Sequence, residues 1–295
     1  MAKHRFHIVD VFGEAKYSGN QLAVVLPGGP LRAADMQAIA REFDFPETTF
    51  LLSRQPKRGG YPARIFTPRR EVPFAGHPTL GTAWVIRNHV AKRRTGSVSL
   101  DLKAGRIPVA FSPGKAGLVW MRQKPPAFGA VHPRAAAAAL VGLASRDLDA
   151  RFPVQEMSTG LAFLMIPVRT LEAMRRAAPE RAACKAHFAG RPDGELPLFL
   201  FCPETADPAH RIHARMFAEP FGIPEDPATG SANGCLAGYL ARHRYFGADP
   251  IDLAVEQGYE MGRPSVLHIR AESGGNDAAI EVGGRVIGIA EGRLL

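Results

Sequence analysis

The chain has 295 residues, of which 46% are hydrophobic, 22% charged and 8% aromatic, and it carries a formal net charge of +9. A chain this long buries about 75% of the surface its unfolded form exposes, so neither metal nor disulfide is needed to hold a core, and stapled mini-protein scaffolds are excluded. Every apolar run, Leu22 to Leu26 and Leu198 to Cys202 included, stops well short of the roughly 18 residues that span a bilayer, so no membrane segment is expected.

The opening MAKHRFHIVDVF enters strand-like alternation at once, without an apolar stretch and small-residue cleavage site, so a cytoplasmic location is expected. Short β-branched and aromatic segments bounded by Gly, Pro or Asn follow: residues 4–12, 20–26, 48–52, 63–68, 96–102, 106–111 and 117–122 read as strands. Residues 31–43 and 78–90 have helical apolar spacing. The proline-rich stretch 124–134 reads as a linker. Beyond it come a short alanine-rich helix at about 134–141 and strands over 152–160 and 161–168. A helix over 171–188, strands over 196–203 and 211–218, and a helix after the stretch 226–234 follow, then strands over 265–272, 278–284 and 285–292.

The two parts share a rhythm, and one pair of segments makes the duplication concrete. Arg64-Ile65-Phe66 precedes His77-Pro78-Thr79-Leu80-Gly81-Thr82-Ala83, and Arg215-Met216-Phe217 precedes Asp226-Pro227-Ala228-Thr229-Gly230-Ser231-Ala232. Both read as R-[IM]-F, an irregular stretch, and [HD]-P-x-x-G-[TS]-A opening a helix. First-turn amides have no intrahelical acceptor and carry partial positive charge, so both turns can hold an anion such as a carboxylate. His77, Asp226 and Ser231 would surround it. Glu47, placed among Phe45, Phe50 and Phe66, would gain basicity by desolvation, which suits a general acid/base.

Other features lead elsewhere. Cys184, Cys202 and Cys235 lack metal or disulfide spacing and read as buried small hydrophobes. The basic residues are scattered, without a nucleic-acid motif, and neither a nucleotide loop nor a G-x-S-x-G elbow is present. His210 with His213, and His4 with His7, stand three apart on strand-like segments, which points them to opposite faces and away from a shared metal.

The segments 9–26, 46–52, 64–86, 157–168, 215–240 and 257–270, with their EVPFAGHPTLG and EDPATGSA blocks, strongly resemble the phenazine-biosynthesis PhzF-like family, which shares the diaminopimelate-epimerase fold. The resemblance implies an α+β chain of two pseudo-symmetric domains, each a β-barrel-like sheet wrapped around a central helix. It implies an N-terminal lobe over 1–120 joined by residues 285–295, a C-terminal lobe over 130–284, and an active site in the cleft between them. By the same resemblance Glu47, His77 and Asp226 are catalytic, and Gly76, Gly230 and Ser231 bind substrate. It implies a cytoplasmic homodimer acting on a small carboxylate without cofactor, metal, nucleic acid or membrane.

The expected activity is a cofactor-independent isomerisation in which Glu47 removes a proton and returns it elsewhere. A two-base epimerase or racemase, with Glu47 opposed by Asp226 or His77, and a non-catalytic carboxylate-binding protein are the alternatives. Two departures narrow the reading. Diaminopimelate epimerases oppose two cysteines where this chain is read to hold His77 and Asp226, which disfavours a two-thiol racemase. Pro46 stands where many relatives carry a small or hydroxyl residue, which removes a substrate hydrogen bond and turns the reading away from the phenazine-pathway substrate itself.

Overall fold

The computed structural model describes residues 4–113, 117–247, 250–272 and 279–295. Residues 1–3 and Ala278, which the sequence reading includes in its opening segment and its penultimate strand, lie outside the described residues. The chain forms two compact units, residues 1–122 with 283–295, and residues 123–282.

The first unit contains β1 (Arg5–Val11), β2 (Asn20–Val25), α1 (Ala33–Phe43), β3 (Glu47–Leu51), β4 (Tyr61–Phe66) and β5 (Glu71–Val72). It continues with α2 (Gly76–Val85), a π-helical turn (Ile86–Val90), β6 (Ser97–Leu102), β7 (Gly105–Phe111) and β8 (Val119–Arg122), and the C-terminal strand β18 (Val286–Arg293) completes it. β1 lies antiparallel between β18 and β2, β2 runs parallel to β3, and β4 is antiparallel to β3 but parallel to β6. The sheet then continues antiparallel through β7 to β8.

This curved sheet wraps α2, which packs against β1, β2, β3, β6, β7, β8 and β18. The sequence makes that possible because the helix has no polar face: His77 through Ala83 and Val85 are all buried. Gly81 is needed at the closest approach, since a Cβ there would lie 2.6 Å from Leu22 Cδ2 and 2.9 Å from Val11 Cγ2. Helix α1 covers the other sheet face, where Met36 and Ala40 meet Val25, Phe50 and Phe66.

The second unit contains β9 (Ala127–His132), α3 (Arg134–Leu140), β10 (Val154–Ser158), β11 (Ala162–Pro167), α4 (Leu171–Arg176), α5 (Arg181–His187) and β12 (Leu198–Cys202). After these come β13 (Ile212–Ala218), β14 (Ile223–Asp226), α6 (Gly230–Arg242), β15 (Ile251–Gln257) and β16 (Ser265–Ala271), and β17 (Ile280–Gly284) begins in this unit and ends with two residues of the first. β10 is antiparallel to β9 and β11, β11 is parallel to β12, and β12 is antiparallel to β13. β13 is parallel to β15, which is antiparallel to β16. Helix α6, buried from Ala232 to Leu240, packs on β10, β11, β15 and β16.

The duplication is visible in the senses of the pairings. The order β1-β2-α1-β3-β4-β5-α2-β6-β7 has the same sequence of antiparallel and parallel partners as β10-β11-α4-α5-β12-β13-β14-α6-β15-β16. The repeated arginine has the same task in each copy. Arg64 makes a bidentate pair with Glu71 at 2.8 Å, and Arg215 makes one with Glu225 at 2.8 and 2.9 Å. Each pair ties a long strand to the short strand folded back on it.

Three local expectations are corrected. The stretch read as a linker holds β9, whose Ala127, Phe128, Val131 and His132 pair with β10. The helix expected over 171–188 is two, because Pro179 disfavours helical geometry in the residue before it and the chain turns extended at Ala177 (ψ 131°). β15 escaped notice because Asp252, Glu256 and Gln257 dilute its apolar pattern.

Candidate active site

In the first unit Glu47 opens β3 and His77 is the second residue of α2. The strand places them together, with His77 Nε2 3.4 Å from Glu47 Oε2 and the carboxylate side chain only 14% exposed. Phe50 is three residues on and faces α1 with Phe66, because alternate strand residues take opposite faces. Two of the expected aromatic neighbours, Phe50 and Phe66, therefore face α1, and the imidazole of His77 stands beside Glu47. Burial pushes the His77 pKa down to about 3, against a smaller opposing effect of its hydrogen bond to the Gln21 backbone. His77 is neutral at any working pH. Gly76 precedes it as the first helical residue, and Thr79 Oγ1 donates to the Ala75 carbonyl at 2.8 Å to close the turn.

Neutral burial of His77 has a signed consequence for stability. Between pH of about 6.5 and about 3 the unfolded chain binds a proton that the folded chain does not, so folding weakens as pH falls, by up to about 1.4 kcal/mol per unit. His77→Gln is expected to flatten this acid limb. Urea unfolding at pH 7.5 and pH 5 checks it, with a smaller difference between the two conditions in the variant than in the parent.

In the second unit Asp226 ends β14 and is buried. Its Oδ2 accepts a 2.5 Å hydrogen bond from Thr229 Oγ1, and Gln257 Nε2 donates to the Asp226 carbonyl at 2.8 Å and to Thr229 Oγ1 at 3.1 Å. Asn233 Nδ2 donates to the Thr229 carbonyl and to Gln257 Oε1, both at 3.0 Å. Gly258 (φ +79°) lets the backbone pass close to this turn, since a Cβ there would lie 2.6 Å from the Pro227 carbonyl oxygen. Gly230 and Ser231 are the first two residues of α6, and the Ser231 carbonyl accepts from Thr159 Oγ1. Thr159, Thr229, Asn233 and Gln257 were not singled out from sequence. The only signal was their polarity at positions that the apolar pattern would bury.

The helix starts also revise the register of the repeat. Gly76-His77 and Gly230-Ser231 occupy equivalent first and second helical positions, whereas Asp226 lies ahead of α6 on a strand. The residues that correspond at the helix starts are thus His77 and Ser231, not His77 and Asp226. The thiols are elsewhere and all buried, with burial pushing Cys184 up to about 11 and both Cys202 and Cys235 up to about 12. None of them is at a helix start.

His210 and His213 do converge, contrary to the argument from alternation. His210 precedes β13, so the strand rule does not govern it, and its Nδ1 reaches Glu256 Oε2 at 2.8 Å while His213 Nδ1 reaches Glu256 Oε1 at 2.7 Å. Backbone amides of Ala206 and Asp207 donate to the same buried carboxylate. Against the cost of burial, these donors hold the Glu256 pKa down to about 2. The cluster fastens the 204–210 loop to β15.

The family profile of phenazine biosynthesis-like proteins (PhzC-PhzF) matches residues 9–292. Trans-2,3-dihydro-3-hydroxyanthranilate isomerase of Pseudomonas aeruginosa is 35% identical, across 98% of this chain and 99% of its own length. An uncharacterized isomerase of Mesorhizobium japonicum is also 35% identical, across 100% and 99%. The crystal structure of a Bacillus anthracis phenazine biosynthesis protein of the PhzF family superposes with a TM-score of 0.90 at 27% identity, covering both chains completely. A hydroxyproline epimerase from Agrobacterium vitis shares the fold, with a TM-score of 0.61 at 13% identity over 100% of this chain and 91% of its own. No helix among the described residues is long and apolar enough to cross a membrane. With the duplicated sheet-around-helix architecture and these full-length matches, the chain belongs to the phenazine biosynthesis-like (PhzF) family and is an isomerase.

Proposed function

We propose that the protein is a cofactor-independent isomerase that moves a proton between carbons of a small carboxylate-bearing metabolite, with Glu47 as the group that takes and returns it. The observation that carries this reading is the pairing of Glu47 with a buried, neutral imidazole 3.4 Å away. A proton carrier must be able to hold either protonation state. Glu71 is unsuited, because Arg64 and Lys103 outweigh its burial and hold its pKa down to about 2. Glu256 is equally committed to its donors.

Removal of a proton beside an unsaturated carboxylate spreads negative charge towards the carboxyl group. Preorganised donors aimed at such charge usually give the largest catalytic contribution. In this proposal the first-turn amides at Gly76 and Gly230, with the Ser231 hydroxyl, hold the substrate anion. His77 and Asp226 are the further catalytic residues of this proposal. The resemblance to family members further supports a homodimer acting in the cytoplasm, with a small molecule as its partner.

The name of the Pseudomonas relative supplies a first substrate to try: trans-2,3-dihydro-3-hydroxyanthranilate, an amino- and hydroxyl-bearing carboxylate on an unsaturated ring. Dialysed protein without added cofactor is expected to convert this compound or a close unsaturated carboxylate, followed by the change in its ultraviolet spectrum. Binding of these acids without turnover of any would replace the isomerase reading with that of a binding protein.

A further inference from the structure

We propose that His7, His89 and Glu291 form a site for one first-row divalent cation of the zinc type, a site that the proposed proton transfer does not use. One potential ligand atom from each of the three residues lies within 4.8 Å of the other two. His7 and Glu291 are directly opposed across the antiparallel β1–β18 pair, with Nδ1 and Oε2 3.7 Å apart. The His89 ring sits 4.2 Å from the His7 ring, centroid to centroid, inclined at 31°.

The local fold explains why a histidine from a helix reaches a strand pair. β1 turns His7, Val9 and Val11 to its buried face, and Val9 and Val11 pack against α2 at Gly81. His7 extends that row beyond the apolar contacts. Helix α2 then changes to a π-helical turn over Ile86–Val90, and His89 lies within it, against Trp84. Single π-turns widen a helix by one residue and are frequent at functional sites.

The donor chemistry suits zinc, nickel or copper better than calcium or magnesium, since two imidazoles and one carboxylate are borderline-soft ligands. Burial, with His89 beside it, lowers the His7 pKa and favours the neutral ligating form. Arg5 and Arg54 also bear on His7 and oppose a cation, while Glu291 offsets them. In a tetrahedral site, ligand atoms about 2.0–2.2 Å from the metal stand roughly 3.3 Å from each other. Closing the present separations falls to the exposed His89 and Glu291, while the buried His7 stays fixed. Three protein ligands leave the fourth position to water. A cation there would fasten the first strand, the last strand and the end of the central helix.

His132, His187 and Glu156 do not make a comparable group. His132 spends one ring nitrogen on His187 at 2.7 Å and the other on Glu156 at 3.0 Å, so their atoms do not face a common point.

The test uses untagged full-length protein, treated with EDTA and dialysed, then titrated with zinc chloride by calorimetry and with cobalt by visible absorption. One equivalent should bind. His89→Ala and Glu291→Gln, both at exposed positions, should each weaken binding by at least about ten-fold with unchanged circular dichroism, as loss of a direct ligand exceeds loss of an outer-shell partner. His187→Ala should bind as the parent does. Absence of saturable binding in the parent, or an affinity in His89→Ala and Glu291→Gln equal to that of the parent, would overturn the proposal.

Discussion

Glu47→Gln is expected to lower kcat by about 10²–10⁴-fold, the usual contribution of a positioned acid/base group. The change is isosteric and leaves the entry to β3 intact, but an amide cannot take and return a proton. The amide keeps the shape of the side chain beside the neutral His77 imidazole, and any loss of turnover is weighed against the change in stability. Steady-state kinetics beside a thermal melt separate the two readouts. Retention of more than about a tenth of the turnover, in a variant with an unchanged melting temperature, would remove Glu47 from the role of proton carrier.

Arg215→Ala should give the largest loss of stability, about 3–5 kcal/mol, because it leaves a buried charge and two carbonyls without their partner. The guanidinium is almost wholly buried, pairs with Glu225, and donates through Nη1 to the carbonyls of Met174 at 2.7 Å and Ala177 at 2.8 Å. It thereby closes the C-terminal end of α4 as well as the β13–β14 turn, and it lies over the Phe217 ring at 4.8 Å. Lysine should not rescue it, since an ammonium cannot reproduce the fork. The equivalent Arg64→Ala should cost less, because that side chain is 27% exposed against 8% for Arg215. Urea denaturation of the two variants checks the order. Equal losses, or a loss below about 1 kcal/mol for Arg215→Ala, would show that the pair in the second unit is ordinary surface chemistry.

Much of the fold could be read from local pattern. The strands β1, β2 and β12 are dense in β-branched or aromatic residues, and the R-[IM]-F and H/D-P repeats mark the same strand-to-helix step in both units. What local pattern could not supply was register. The short strands β5 and β14 are each held by an arginine on the preceding strand, Arg64 to Glu71 and Arg215 to Glu225, a pairing that apolar periodicity does not encode. The same holds for the start of α6, where Thr229, Asn233 and Gln257 fix the chain, so that Ser231 and not Asp226 takes the position equivalent to His77.

The candidate site was legible to a similar depth. The types of residue at Glu47, His77, Asp226 and Ser231 were readable from the motif blocks, and the structure brings Glu47 to His77 and sets Asp226 ahead of α6. The surroundings of Glu47 were misread in part, because Phe50 takes the opposite face of β3 and packs there with Phe66. The pair His210 and His213, judged by strand alternation, was misread because His210 lies off the strand.

The most direct measurement is the fate of the migrating hydrogen. A substrate carrying deuterium at the carbon that loses its proton, converted in ordinary water, should give product that keeps part of the label at the new position, because one carboxyl group both removes and returns it. Product with no retained label, even in the earliest turnovers, would contradict a single shuttling carboxylate at position 47.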